Sequence, residues 1–225
     1  MPNQAARDPR FDTTLAGCRV MVLGTIAGFV PDAERVRAAI AATRPEVLAL
    51  GVPKEDVTTL GHLATQGAAE LVDPDPVTAR FLEQLGTFGP TRVPSPDLEA
   101  AFAVATADGI PVEALDLDDD AHANVFTRKV GFMHVLRSNA RTRRMVKRGL
   151  RDAPPDPYTF ATAWDHELAA TKAFRSVDGA REVWMAHRLR QVAQGKSTVL
   201  AIVPVARLAG IEAALKAPVT APVAG

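Results

Sequence analysis

The sequence predicts an α/β protein: one domain over residues 1–216, with a largely parallel central sheet flanked by helices. Three observations carry that prediction. The runs CRVMVLGT (18–25), EVLALGV (46–52) and STVLAIVP (197–204) are apolar throughout, as strands are when both their faces are covered. Helical stretches with an apolar stripe separate them. The first two runs, with a helix between them, fit into about 35 residues, the spacing of a βαβ unit with parallel strands and a right-handed crossover.

The elements follow in order. Residues 1–16 read as a loose arm, and 18–25 as the first strand. Pro31 and Asp32 open a helix in which Asp32 is placed to cap free N–H groups, and Val36, Ala39, Ile40 and Thr43 make one stripe. Pro45 stops it before the second strand. Between 53 and 94 the signal weakens: KEDVTTLGHLATQGAAELV reads as a broken helix, PVTARFLEQLGTF (76–88) as another, and GPTRVPSP as a break. SPDLEAAFAVATADG (95–109) is a helix with Ser95 as cap, Pro96 at its first position and Gly109 as stop. IPVEALDL (110–117) is the third strand. Helices at about 119–151, 158–174 and 181–194 then form an insertion between the third and fourth core strands, about 119–194, long enough for a lobe of its own. STVLAIVP is the fourth strand, VARLAGIEAALK (205–216) the closing helix, and 217–225 a flexible tail.

Composition narrows the function classes. The 225 residues are 47% hydrophobic and 23% charged with zero net charge, so no global field draws the chain to nucleic acid or anionic lipid. One cysteine, Cys18, rules out an internal disulfide and a cysteine zinc cluster, and its place at the head of an apolar run makes it a small buried residue. The start of the chain carries no secretory signal, and no run reaches the roughly 18 apolar residues of a membrane span. A cytoplasmic protein is expected, with homo-oligomerisation open.

Several clusters are candidates for chemistry. Asp116, Asp118, Asp119, Asp120 and His122 crowd a strand end, where they either cap the next helix or hold a hard cation. His62, His122, His134, His166 and His187 show no metal-binding spacing, and no P-loop, G-x-G-x-x-G or G-x-S-x-G motif is present. The run RSNARTRRMVKRGLR places Arg137, Arg141, Arg144 and Arg148 on one helix face, either solvated or gripping phosphates. It has no aromatic residue on which bases would stack, so nucleic acid is a weak expectation. Phe160 and Trp164, four apart, read as core.

The two ends of the chain resemble the TraB/PrgY family, related to Tiki peptidases and GumN proteins. VMVLGTIAGFVPDAERVRAAIAATRPEVLALGV is similar to that family's strand, Gly-Thr-x-His turn, helix and second strand. AREVWMAHRLRQVAQGKSTVLAIVPVARLAGIEAAL is similar to its Met-Ala helix, last strand and Gly-x-Gly-His-x-x-Gly-Ile turn. The middle of the chain is compatible without being diagnostic. The resemblance places the first histidine of the family on Ala27, its glutamate on Gly51 and its second histidine on Arg207. The glycines before that histidine fall on Pro204 and Ala206, and the glutamate opening the late helix on Ala180. Gly24, Thr25, Arg181, Glu182, Met185, Ala186, Gly210 and Ile211 are retained, and they are mostly framework.

In Tiki-like members the two histidines and the glutamate serve a divalent metal and acid–base chemistry. A methyl group, a hydrogen atom and a guanidinium supply no donor atom for a metal. The resemblance therefore implies a kept fold and lost chemistry: no catalytic residue, no metal and no cofactor. The expected function is binding, either of a partner protein or of a small anionic ligand in a pocket formed by Gly24, Thr25, Arg181 and Arg207. Amides of the Gly24–Thr25 turn and of the helix start at Asp32 would assist. The alternative is a metal-dependent hydrolase or peptidase with ligands relocated to Asp116, Asp118, His122 or His166.

Overall fold

The apolar runs become the interior of a single sheet. The computed structural model describes residues 8–66 and 73–218, with the backbone alone for 62–66. Among these residues five strands pair in the order β1-β2-β5-β3-β4: Arg10–Leu15 (β1), Cys18–Thr25 (β2), Val47–Leu50 (β3), Val112–Ala114 (β4) and Thr198–Pro204 (β5). β5 is parallel to β2 on one side and to β3 on the other, and β3 is parallel to β4. All four residues of β3, and Val199 through Val203 of β5, are buried, as unbroken apolar strands require.

The helices are Pro31–Thr43 (α1), Lys54–Gln66 (α2), Pro76–Leu85 (α3), Pro96–Asp108 (α4), Asp119–Lys129 (α5), Phe132–Arg148 (α6), Pro157–Leu168 (α7), Lys172–Val192 (α8) and Val205–Lys216 (α9). On one face of the sheet, α1 and α4 pack Val36, Ile40, Ala101 and Ala105 against Leu23, Leu48, Leu200 and Ile202. On the other, α8 and α9 pack Met185, Leu189 and Ile211 against Val20, Val22, Val199 and Val203. The stripe expected on α1 is the buried one: Val36, Ala39, Ile40 and Thr43. Cys18 is a free, buried thiol. No described helix is long and apolar enough to cross a membrane.

Four expectations change. Residues 10–15 of the supposed arm are an edge strand, antiparallel to β2, with Leu15 opposite Cys18. Ala16 and Gly17 both take positive φ, 49° and 84°, the backbone of a two-residue hairpin turn. The expected helix 119–151 breaks at Val130 and Gly131, with Gly131 capping α6. The gap expected between 174 and 181 is helical, since α8 runs unbroken from Lys172 to Val192, capped by Thr171, whose hydroxyl oxygen accepts the Phe174 N–H. The segment between β4 and β5 is helical, yet it does not stand apart as one lobe, because α8 builds the sheet's own core.

A third apolar cluster sits beyond the C-terminal ends of the strands. There Phe160, Trp164, Met145 and Leu85, from α7, α6 and α3, close over Ile26 and Phe29 of the β2–α1 loop. The rings of Phe81, Phe160 and Trp164 lie 5.4–6.1 Å apart, centroid to centroid, so the expected core role of Phe160 and Trp164 holds in this cap. Segments 67–72 and 219–225, including most of the expected tail, lie outside the described residues.

Leu200 is fully buried in the central strand. Leu200→Ala is expected to lower unfolding free energy by about 3 kcal/mol through lost burial and a residual cavity, read from urea denaturation.

Candidate functional site

Strand order and helix placement decide where a site can form. β2 and β3 lead into helices on one face of the sheet, whereas β5, between them, leads into α9 on the opposite face. Chains that diverge in this way leave a crevice at the carboxyl ends of the strands, the usual ligand position in an open α/β sheet. A cleft of about 230 Å³ lies there, lined by Thr25, Ala27, Trp164, Asp165, Pro204 and Ala206 among others. Its walls are largely apolar, and its one acidic side chain is Asp165.

Gly24, Thr25, Arg181 and Arg207 all lie at this edge of the sheet, but their polar groups face protein partners. The Gly24 N–H donates to the Pro9 carbonyl at 2.7 Å, and its missing Cβ leaves room for Val205 and Leu208. Thr25 is buried, and its hydroxyl donates to Asp97. Arg207, 5% exposed in the first turn of α9, ion-pairs with Asp165 of α7 and with Asp178 (3.1 Å) and Glu182 (3.3 Å) of α8. Arg181 clasps the buried Asp116 through Nε at 3.2 Å and through Nη2. Four carboxylates thus surround two guanidiniums, so the expected open cationic pocket is a closed ion network with acid in excess. Burial holds the carboxyls of Asp178 and Glu182 above their ordinary range despite the pull of Arg207.

A second buried network anchors the turn from its other side. Asp32 is not a helix cap. Completely buried, it accepts the Ile26 N–H (2.6 Å), the Arg35 guanidinium (2.6 Å) and the Tyr158 hydroxyl (2.7 Å), while Arg35 stacks 4.7 Å over the Tyr158 ring. Burial, then the charge of Asp32, raises the Tyr158 phenol. Ser95 is not a side-chain cap either: its hydroxyl accepts the Gly28 N–H at 3.0 Å and donates to Asp97 at 2.5 Å. Asp97 is pushed above its ordinary value by burial, against the hydrogen bonds from Ser95 and Thr25. Both networks tie the β2–α1 loop to distant helices and engage its Ile26 and Gly28 amides.

The residues present do not fit the metal that the resemblance implied. Ala27 carries no donor atom, and at Gly51 a Cβ would meet Pro204 Cδ at 2.9 Å and Val203 Cα at 3.0 Å. A buried guanidinium occupies the centre of the carboxylates. The relocated set does not assemble. Asp116 is held by Arg181, Asp118 caps α5 through the Ala121 N–H at 2.8 Å, Asp119 and Asp120 are exposed in its first turn, and His122 and His166 are exposed on different helices. Among the described residues no group of three His, Cys, Asp or Glu side chains has metal-holding geometry. In the basic run, Arg137, Arg144 and Arg148 are exposed while Arg141 pairs with Glu167 at 2.9 Å.

Sequence reasoning did not select Asp165, Asp178, Asp97 or Tyr158. One signal was readable: Asp178, Arg181 and Glu182 stand at helical spacings of three and four, one acidic face with an arginine in it. Nothing local links Asp165 to Arg207 across 42 positions.

Two outcomes test this geometry. Gly51→Ala is expected to cost about 1–3 kcal/mol in denaturant unfolding, because Pro204 and the β5 backbone cannot both retreat. Asp97 has a raised pKa in the folded state, so its burial favours folding at low pH and that advantage fades as pH rises through the raised value. The melting temperature of Asp97→Asn relative to the parent is therefore expected to climb as pH increases above 3.8, then level off.

The chain matches no protein-family model, and no curated protein sequence matches it significantly.

Proposed function

We propose that this protein is a catalytically degenerate TraB/PrgY-like scaffold that acts by binding, with a partner protein favoured over a small anionic ligand. The observation that carries the reading is Arg207. On the resemblance it stands where a metal-ligating histidine would be, and its guanidinium is itself the cation among Asp165, Asp178 and Glu182. A fixed cation on a side chain satisfies these carboxylates without any ligand. On this reading α5–α8 are the insertion between the third and fourth core strands, with α6 and α7 turned to covering the old site.

An anion reaches Arg207 only by displacing a carboxylate. Burial raises the pKa values of Asp178 and Glu182 above the ordinary carboxyl range, so anion binding would strengthen as falling pH protonates them. The cleft between Thr25 and Pro204 offers a few apolar contacts and no open positive charge, which suits part of a protein surface better than a phosphate.

Elemental analysis of the purified full chain, after loading with Zn²⁺ or Mn²⁺ and exhaustive exchange, is expected to find far less than one metal per chain. Stoichiometric retention of either metal overturns the degenerate reading and favours a hydrolase with relocated ligands.

A further inference from the structure

Helix α6 carries the basic run that the sheet edge does not use, and its outward face has a second property. Phe132 is 74% exposed, Met133 58% and Leu136 46%, three of the four large apolar side chains left open among the described residues. Arg137, Arg143, Arg144, Lys147 and Arg148 are exposed on the same helix, which holds no acidic residue between Phe132 and Arg148. None of these five cations has an ion-pair partner among the described residues.

At about 100° per residue, Phe132, Arg143, Leu136, Lys147 and Met133 fall within one outward sector about 100° wide; Arg144, Arg137 and Arg148 lie on its flank, where Arg144 and Arg148 also line a groove toward α7. Beyond that flank, Arg141 is tied to Glu167 and Met145 is buried under the cap. The apolar and basic groups therefore do not oppose each other, as they do on an ordinary surface helix. They point the same way, with the apolar trio at the amino end and the cations along the rest.

We propose that this face of α6 docks on an anionic phospholipid bilayer. A bilayer surface supplies both chemistries in one plane: phosphates and acidic headgroups for the guanidiniums, and the acyl boundary beneath them for Phe132, Met133 and Leu136. A nucleic-acid duplex would satisfy the cations and leave the apolar trio in water, and the run has no aromatic residue among its cations to stack on bases. Zero net charge on the whole chain makes the local face decisive, since no general attraction substitutes for it. α6 stands on the cap, away from the β1 edge, so docking leaves the sheet undisturbed.

Vesicle co-flotation of the full chain tests this, with phosphatidylcholine vesicles compared with vesicles also containing phosphatidylglycerol. Flotation is expected with the anionic vesicles alone, and it is expected to fall as salt is raised. Arg143→Glu/Arg144→Glu/Lys147→Glu and Phe132→Ser/Met133→Ser/Leu136→Ser are each expected to reduce the bound fraction at least tenfold, with unchanged circular dichroism and melting because the altered side chains are exposed. Absence of binding to anionic vesicles at low salt overturns the proposal. So does equal binding to both vesicle types, or indifference to the charge-reversal variant. Preferential binding of duplex DNA that survives the apolar triple substitution reassigns the face to nucleic acid and equally overturns it.

Discussion

A guanidinium buried at the edge of an apolar sheet has to be matched by carboxylates, and the architecture around the strand ends follows from that need. Arg207 emerges in the first turn of α9, where the helix dipole is already unfavourable to a cation. Its burial is tolerable because Asp165, Asp178 and Glu182 converge on it from two other helices. This fixes three things together: the seat of α7 in the cap, the register of α8 along the sheet, and the angle at which α9 leaves β5. Gly210 belongs to the same arrangement, since the Glu182 carboxylate lies where its Cβ would be. Removing Arg207 would leave three half-buried carboxylates facing one another, which is why the cluster is a structural unit and its members are not independent charges.

The same edge is closed sterically. Gly51 and Pro204 are complementary: the ring of one fills the space left by the absent side chain of the other. The two residues lie at the ends of neighbouring strands and depend on each other, because a side chain at Gly51 would require the Pro204 ring to leave. Asp32 and Asp97 then hold the β2–α1 loop from beneath, through Ile26, Tyr158, Ser95 and Thr25. Most of the turn's polar groups are engaged inside the protein, so it offers few donors to a substrate oxygen.

How much of this was legible depended on the range of the interaction. The apolar strands β2, β3 and β5, with α1 and α4, were readable because continuous apolar runs and 3.6-residue stripes are local patterns that tertiary packing only reinforces. The edge strand was missed although Phe11, Thr13 and Leu15 alternate, because its pairing is decided by the positive-φ turn at Ala16 and Gly17. Ser95 and Asp32 have the identities of helix caps, but partners far away in sequence, Gly28 and Tyr158, claimed their oxygens. Gly24, Thr25, Arg181 and Arg207 lie at one edge of the sheet. The sign of their surroundings was invisible, since Asp165 and Asp116 reach them across 42 and 65 positions.

A site closed by internal ion pairs changes where selection on binding can act. With the charged groups at the carboxyl ends of the strands tied into ion pairs, the cations still uncommitted among the described residues include, on the outside of the cap, five on α6. Its inner side is bound to α7 by Arg141 and Glu167, and its end to α3 by Gln84, which both accepts from and donates to Leu150. A helix held at two points on its inner side presents its outer side as a fixed array, and five cations in a fixed array lose less conformational freedom on engaging a surface than five on a mobile loop. The closed centre and the open helix are therefore one design: the cap whose helices complete the Arg207 cluster is also the platform that holds α6 outward.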